Sequence, residues 1–274
     1  MYPILFNIGP FAISSFGVML VIAFIIGNYL LRKDVMSEGY EPVVAEDITF
    51  RAMLGGILGA KLYYLIEIPI EEAANNINGL TEIIAGIFTL SFVRISIGVQ
   101  NFGAGLVFLG GFIGGLAMVS WYVFRNKLNW LKVADWVAPF LVLGHGIGRI
   151  GCFLVGDDYG IPSNLPWACA FPQGLPPTNI PVHPTQLYEM SAYFIIFFYL
   201  RYRKRNQHFP GELMFEYLFL AGFSRFMIEF IRTNTKYLFD LSGAQYLSIL
   251  MMALGAFKMW KMRRSVSSTV RDTV

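Results

Sequence analysis

The chain of 274 residues is 55% hydrophobic and only 14% charged, with a mean hydropathy of +0.55, which is more apolar surface than a soluble domain of this length can bury. That excludes an ordinary water-soluble enzyme and makes lipid the solvent; the net charge of +3 matters less than where the 21 basic residues stand. Two cysteines, Cys152 and Cys169, supply neither a disulfide scaffold nor a zinc framework.

Met1 to Pro10 lacks a basic n-region, and no small-residue cleavage site follows, so the first apolar run reads as a retained helix. A hydrocarbon core about 30 Å thick needs about 20 mainly apolar residues in a helix that pairs all its own backbone groups. In chain order, spans are predicted over 11–31, 48–68, 104–124, 133–154, 187–200, 212–231 and 241–260. The fifth is short by itself and is expected to begin within the preceding loop.

At or beyond the ends of these spans the basic residues cluster at Arg32 and Lys33, at Arg125, Lys127 and Lys132, from Arg201 to Arg205, and from Lys258 to Arg264. Each cluster follows an odd-numbered span, and the positive-inside rule puts each in the cytoplasm. Gly151 to Tyr199 contains no Lys or Arg and belongs outside, with 69–103. Residues 80–99, LTEIIAGIFTLSFVRISIGV, are apolar enough for an eighth span, but an eighth crossing would split clusters that must share a side. They are therefore assigned to the outer interface as an amphipathic or re-entrant piece. The expected fold is an all-α integral membrane protein of about seven transmembrane helices, N-terminus outside and C-terminus cytoplasmic. It forms a single domain over 1–274, with an outer interfacial insertion at 69–103 and a flexible cytoplasmic tail at 265–274.

Ionisable side chains inside membrane helices cost roughly 2.5 to 3.5 kcal/mol each on insertion scales, and mark paired sites or substrate paths. Arg51 and Lys61 fall in the second span, His145 and Arg149 in the fourth, Arg225, Glu229 and Arg232 in the sixth. In LGHGIGRIGCF, His145, Arg149 and Cys152 stand at i, i+4 and i+7, on one helical face among Gly144, Gly146, Gly148 and Gly151. Arg225, Glu229 and Arg232 repeat that spacing. An Arg225–Glu229 pair leaves Arg232 outside it, and arginines at the outer ends of two helices make a guanidinium fork suited to a phosphate. The opposing reading is helix packing by glycine with a snorkelling Arg149. Two outer segments add polar groups: VGDDYG (155–160), whose Asp157 and Asp158 otherwise cap a solvated turn, and HPTQLYE (183–189), with His183, Gln186, Tyr188 and Glu189 around Pro184.

From about Ile8 to about Trp260 the chain resembles the prolipoprotein diacylglyceryl transferase family. Gly148-Arg149-Ile150-Gly151-Cys152-Phe153 with Gly156 and Gly160 is similar to that family's signature. His183 to Glu189 matches an HPSQLYE-like segment, and Arg225 to Arg232 matches an R-x-x-x-E-F-x-R segment. LGAKLYY (58–64) resembles a GGRxxY stretch. The resemblance implies a bacterial inner-membrane, multi-pass enzyme that moves the diacylglyceryl group of phosphatidylglycerol to the lipobox cysteine thiol of a prolipoprotein, releasing glycerol phosphate. Its partners are phosphatidylglycerol, prolipoprotein signal peptides and membrane lipid, without nucleic acid. No cofactor is expected, and no metal-ligand spacing is present.

This chemistry needs cationic donors for the leaving phosphate and a base for a thiol of pKa about 8.5. Arg149 and Arg225 are assigned the first role. The chain departs from the family pattern at Leu109, where His-Gly-Gly is usual, at Cys152 for Asn, at Val155-Gly156-Asp157 for Asn-Gly-Glu, and at Phe16 for Tyr. His145, one turn from Arg149, is the imidazole able to replace the missing histidine, against the alternative of a histidine satisfied within the bundle. The matched residues Arg149, Arg232, Glu229, Lys61, Asp157, Gly160, His183, Gln186, Tyr188 and Glu189 are expected to line the substrate site. Cys152 is either a small buried residue or the partner of Cys169. Two other functions stay open: a catalytically silent relative that binds anionic lipid or lipoprotein precursors, and a small-anion transporter.

Overall fold

The structure, a computed structural model, describes residues 2–9, 11–103 and 105–271, with backbone alone at 11 and 265–271. It is mostly helical, and each of the seven expected spans overlaps a helix over most of its length. Two short strands, β1 (Ile4–Ile8) and β2 (Phe11–Ser14), precede α1 (Ser15–Ser37). The first helix starts later than hydropathy suggests because Ser14 caps it, its side chain accepting from the Gly17 amide at 3.0 Å. It then runs through Arg32 and Lys33 to Ser37. There follow α2 (Val43–Glu67), α3 (Ile70–Phe88), α4 (Phe92–Gly103), α5 (Phe108–Arg125), α6 (Trp130–Val155), α7 (Thr185–Arg203), α8 (Glu212–Glu229) and α9 (Gly243–Arg271). Of the expected flexible tail, 272–274 lie outside the described residues.

Among the described residues, α1, α5 and α6 are long and apolar enough to cross a membrane by length and composition. Others carry the ionisable groups singled out in the sequence: Arg51 and Lys61 on α2, Arg225 and Glu229 on α8.

The chain divides into two compact units, 1–5, 14–40 and 129–274 in one, 6–13 and 41–128 in the other. In the smaller, α2 and α5 touch backbone to backbone. A Cβ added at Gly59 would lie 2.3 Å from the Gly110 carbonyl oxygen, and one at Gly55 2.5 Å from that of Gly114, so only glycine permits the contact. Segment 69–103 folds as a helical hairpin: α3 starts after Pro69, the chain reverses at 89–91 with Leu90 at φ 51°, and α4 returns along α3.

The larger unit holds α1 and α6 to α9, with α6 packed against α1, α7 and α8. Asn129 caps α6 through the Lys132 amide at 3.2 Å. Near its start, buried Asp135 reaches across to α8 and accepts from the amides of Gly211 at 2.5 Å and Met214 at 3.0 Å, so one helix caps its neighbour. Buried Glu212 and Glu216 of α8 are both paired to Arg203 at the end of α7, at 3.1 and 2.9 Å. These contacts fix α6, α7 and α8 at one end. The small sheet of β3 (Cys169–Phe171) and β4 (Thr178–Val182) leads to the start of α7, which, as expected, begins ahead of its apolar run, at Thr185.

Candidate active site

The far ends of α6, α7 and α8 converge. Arg149 and Cys152 stand one turn apart on the last turns of α6, Glu189 on the first turns of α7, and Arg225 and Glu229 one turn apart on α8. Arg232 follows in the turn after α8. Helical spacing turns Arg149 of α6 and Arg225 of α8 toward α7, where Glu189 sits with its side chain fully buried.

Glu189 is the hub. Its Oε2 pairs with Arg149 Nε and its Oε1 accepts from Arg225 NH1, while Arg232 NH1 lies 3.5 Å from Oε1. Glu229 pairs with Arg225 NH2 at 3.0 Å, the expected i, i+4 contact, and its other oxygen accepts from Asn234 Nδ2 at 2.6 Å and Ser242 Oγ at 2.7 Å. Arg232, outside the pair in the sequence, finds its short partner in Asp158, at 2.5 Å, and Arg149 NH1 reaches the other oxygen of Asp158 at 2.6 Å. Three guanidinium groups and three carboxylates thus alternate in one network. Buried charge is tolerated only when paired in this way.

The loop after α6 is pinned by backbone and side-chain bonds. Thr185 Oγ1 donates to the Asp158 carbonyl at 2.6 Å, buried Gln186 donates to that of Asp157, and the Gly160 amide donates to the His183 carbonyl at 2.9 Å. Gly160 passes between the start of α7 and the turn after α8. A Cβ there would lie 2.4 Å from the Ile231 carbonyl oxygen, so the residue must be glycine for the loop to seat. Burial, and then the charge of Asp158, push the Asp157 carboxyl above the usual range. For Asp158 burial acts the same way but is outweighed by Arg232 and Arg149, which hold its carboxyl below that range.

Of the residues expected to bind substrate or act on it, Arg149, Arg225, Arg232, Glu189 and Glu229 share this network, and Asp157, Gly160 and Gln186 build the loop beside it. His183 and Tyr188 meet each other at 3.2 Å, Nδ1 to hydroxyl, and Tyr188 also accepts from Trp167 at 2.7 Å; they form a polar pair beside the network. His145 lies one turn before Arg149 with its ring against Tyr193 and Tyr217, centroids 5.6 and 6.5 Å apart. Lys61 belongs to the smaller unit, where its ammonium donates to the Phe102 carbonyl at 2.5 Å and faces the ring of Tyr64. Cys152 and Cys169 are both free thiols, and buried Cys152 lies with Sγ 3.6 Å from Arg149 NH1. Ligand atoms of Cys152, Asp157 and Asp158 fall within 4.8 Å of one another, but two arginines already claim Asp158.

Sequence reasoning passed over Thr185, Asn234, Ser242 and the role of Asp158. Asp158 was visible as half of an acidic doublet; the hydroxyls and the amide carry no spacing signal, because their partners lie on other elements.

A model of the prolipoprotein diacylglyceryl transferase family matches residues 3–261. The chain is 32% identical over 261 residues to a phosphatidylglycerol–prolipoprotein diacylglyceryl transferase of Clostridium tetani, covering 94% of this chain and 96% of the relative. Proteins of the same name from Aliivibrio salmonicida, 30% identical over 275 residues, and Vibrio parahaemolyticus, 31% over 274, match 97% and 96% of this chain and 90% and 92% of their own lengths.

Proposed function

The chain belongs to the prolipoprotein diacylglyceryl transferase family, and from that premise we propose that the arginine network at the ends of α6, α7 and α8 is where it transfers the diacylglyceryl group of phosphatidylglycerol to a prolipoprotein cysteine. The observation that carries the assignment is the shared carboxylate: Arg149 and Arg225, from different helices, both close on Glu189, so their guanidinium groups stand together around one small volume. In the reaction a sulfur–carbon bond forms at the glyceryl carbon as the carbon–oxygen bond to phosphate breaks, and glycerol phosphate leaves with the electron pair. Arg149 and Arg225 stabilise the charge that grows on that oxygen, and Arg232 holds the phosphate with them. The thiol proton needs a base. His145, on the same helical face as Arg149, is assigned that role; glycerol phosphate release unchanged by His145→Ala removes the assignment.

The enzyme lies in the bacterial inner membrane and crosses it seven times, the N-terminus outside and the C-terminus in the cytoplasm, with the 69–103 hairpin at the outer interface. The basic clusters support this orientation, which puts the network toward the outer leaflet, where a lipobox cysteine is presented. Rescue of a cell depleted of its own transferase tests the function. Rescue by the parent chain that is lost in Arg149→Ala supports the enzyme; failure of the membrane-located parent favours the silent relative suggested by Leu109.

A further inference from the structure

The space between Arg149 and Arg232 is bridged by a carboxylate of the chain itself. Asp158 gives one oxygen to each guanidinium, at 2.6 and 2.5 Å, the same two-point contact that two oxygens of a phosphodiester make. It is also the outermost anion of the network. Its side chain is 42% exposed, whereas those of Glu189 and Glu229 are buried to within 1%.

Charge balance marks the same residue. Arg149, Arg225 and Arg232 carry three positive charges, and their partners Glu189, Glu229 and Asp158 three negative ones, with the Asp157 carboxyl beside them, so an entering phosphodiester monoanion meets a cluster with no positive charge to spare. With Asp158 turned away the cluster loses one negative charge, which the diester restores. Glu189 is enclosed between Arg149 and Arg225, and Glu229 is anchored by Asn234 and Ser242, so neither is free to leave. The Asp158 side chain is held by the two arginines, while its backbone is fixed by Thr185 and stands at φ 61°. Its release is therefore a rotation of the side chain, with the loop in place. Buried Arg232 has two further nitrogens, Nε and NH1, that make no hydrogen bond; their contacts with Glu229 and Glu189, at 3.6 and 3.5 Å, are ion pairs too long for one.

We propose that Asp158 is a resident stand-in for the lipid phosphate: it occupies the anion seat between Arg149 and Arg232, gives way to phosphatidylglycerol, and returns as glycerol phosphate leaves. The proposal rests on the transferase reading of the same site. It makes Asp158 a specificity-determining residue, because an anion enters only if it bridges both guanidiniums better than a tethered carboxylate does, and because the returning carboxylate expels the product.

The test is binding of glycerol phosphate to the purified full chain, by calorimetry in detergent, alongside steady-state turnover. Asp158→Asn is expected to bind glycerol phosphate about fivefold more tightly than the parent. Its KM for phosphatidylglycerol should fall by a similar factor, with kcat no higher because product release slows. Asp158→Glu, which restores the charge, should return both constants toward the parent values. If Asp158→Asn does not fold, Asp158→Gly, suited to the left-handed backbone, gives the same comparison. Equal or weaker binding of glycerol phosphate by the uncharged variant overturns the proposal, since a purely structural aspartate would leave affinity unchanged or lower it. Tighter binding in the variant with no turnover in the parent would instead sink the transferase reading and leave the anion seat standing.

Discussion

Glu189 shows how much a single side chain can carry. Fully buried, it pairs with two guanidiniums from two helices, and removing its charge leaves them facing each other in a sheltered site. Glu189→Gln is expected to destabilise the chain by on the order of 3 kcal/mol, read as a lowered thermal midpoint in detergent, together with loss of turnover. Arg149 bridges Glu189 and Asp158 through different nitrogens of one planar fork, which a lysine cannot reproduce. Arg149→Lys should therefore lower turnover about a hundredfold or more while leaving the protein folded. A mild effect would mean that only the charge, and not its geometry, matters. At Gly160 the clash with the Ile231 carbonyl predicts that Gly160→Ala shifts the 157–160 loop, with lost activity and roughly 1 to 3 kcal/mol of stability.

Helices bring these residues together by two devices. In the larger unit Asp135 of α6 supplies the cap that α8 lacks on its own, since Gly211, the residue just before α8, has no side chain to offer. Asp135→Ala should cost about 1 to 2 kcal/mol and fray the start of α8, measurable as faster amide exchange at 212–215. In the smaller unit the glycine faces of α2 and α5 hold the helices at backbone contact. Gly59→Val should force them apart and lower the thermal midpoint, whereas the same change at Gly148, where a Cβ meets nothing within 4 Å, should be tolerated. The spans were legible as elements because each had to satisfy its own backbone in lipid. Their ends were less so: α1 begins at Ser15 rather than 11 because a hydroxyl cap, not hydropathy, sets the first turn. The 80–99 segment read as one apolar stretch and is split over two helices, since a reversal at 89–91 leaves no trace in average hydropathy.

For the whole molecule, orientation is the claim open to direct measurement. In a chain with Cys152 and Cys169 replaced by serine, a cysteine introduced at Ser163 should react with an impermeant thiol reagent on intact cells, and one at Asn126 should not. Reversed labelling would overturn the proposed topology and place the arginine network on the wrong side for its substrate. Composition, hydrophobic runs and three ordered motifs are local properties, so the helical membrane character, the arginines and carboxylates out of place in lipid, and the family could be read along the chain. That Arg149 and Arg225 share Glu189, that Arg232 turns to Asp158, and that Thr185 and Gln186 fix the 157–160 loop emerged from the packing of the helices. Those pairings join residues 27 to 74 positions apart, and a charge in the chain carries no record of which distant counter-charge folding will bring to it.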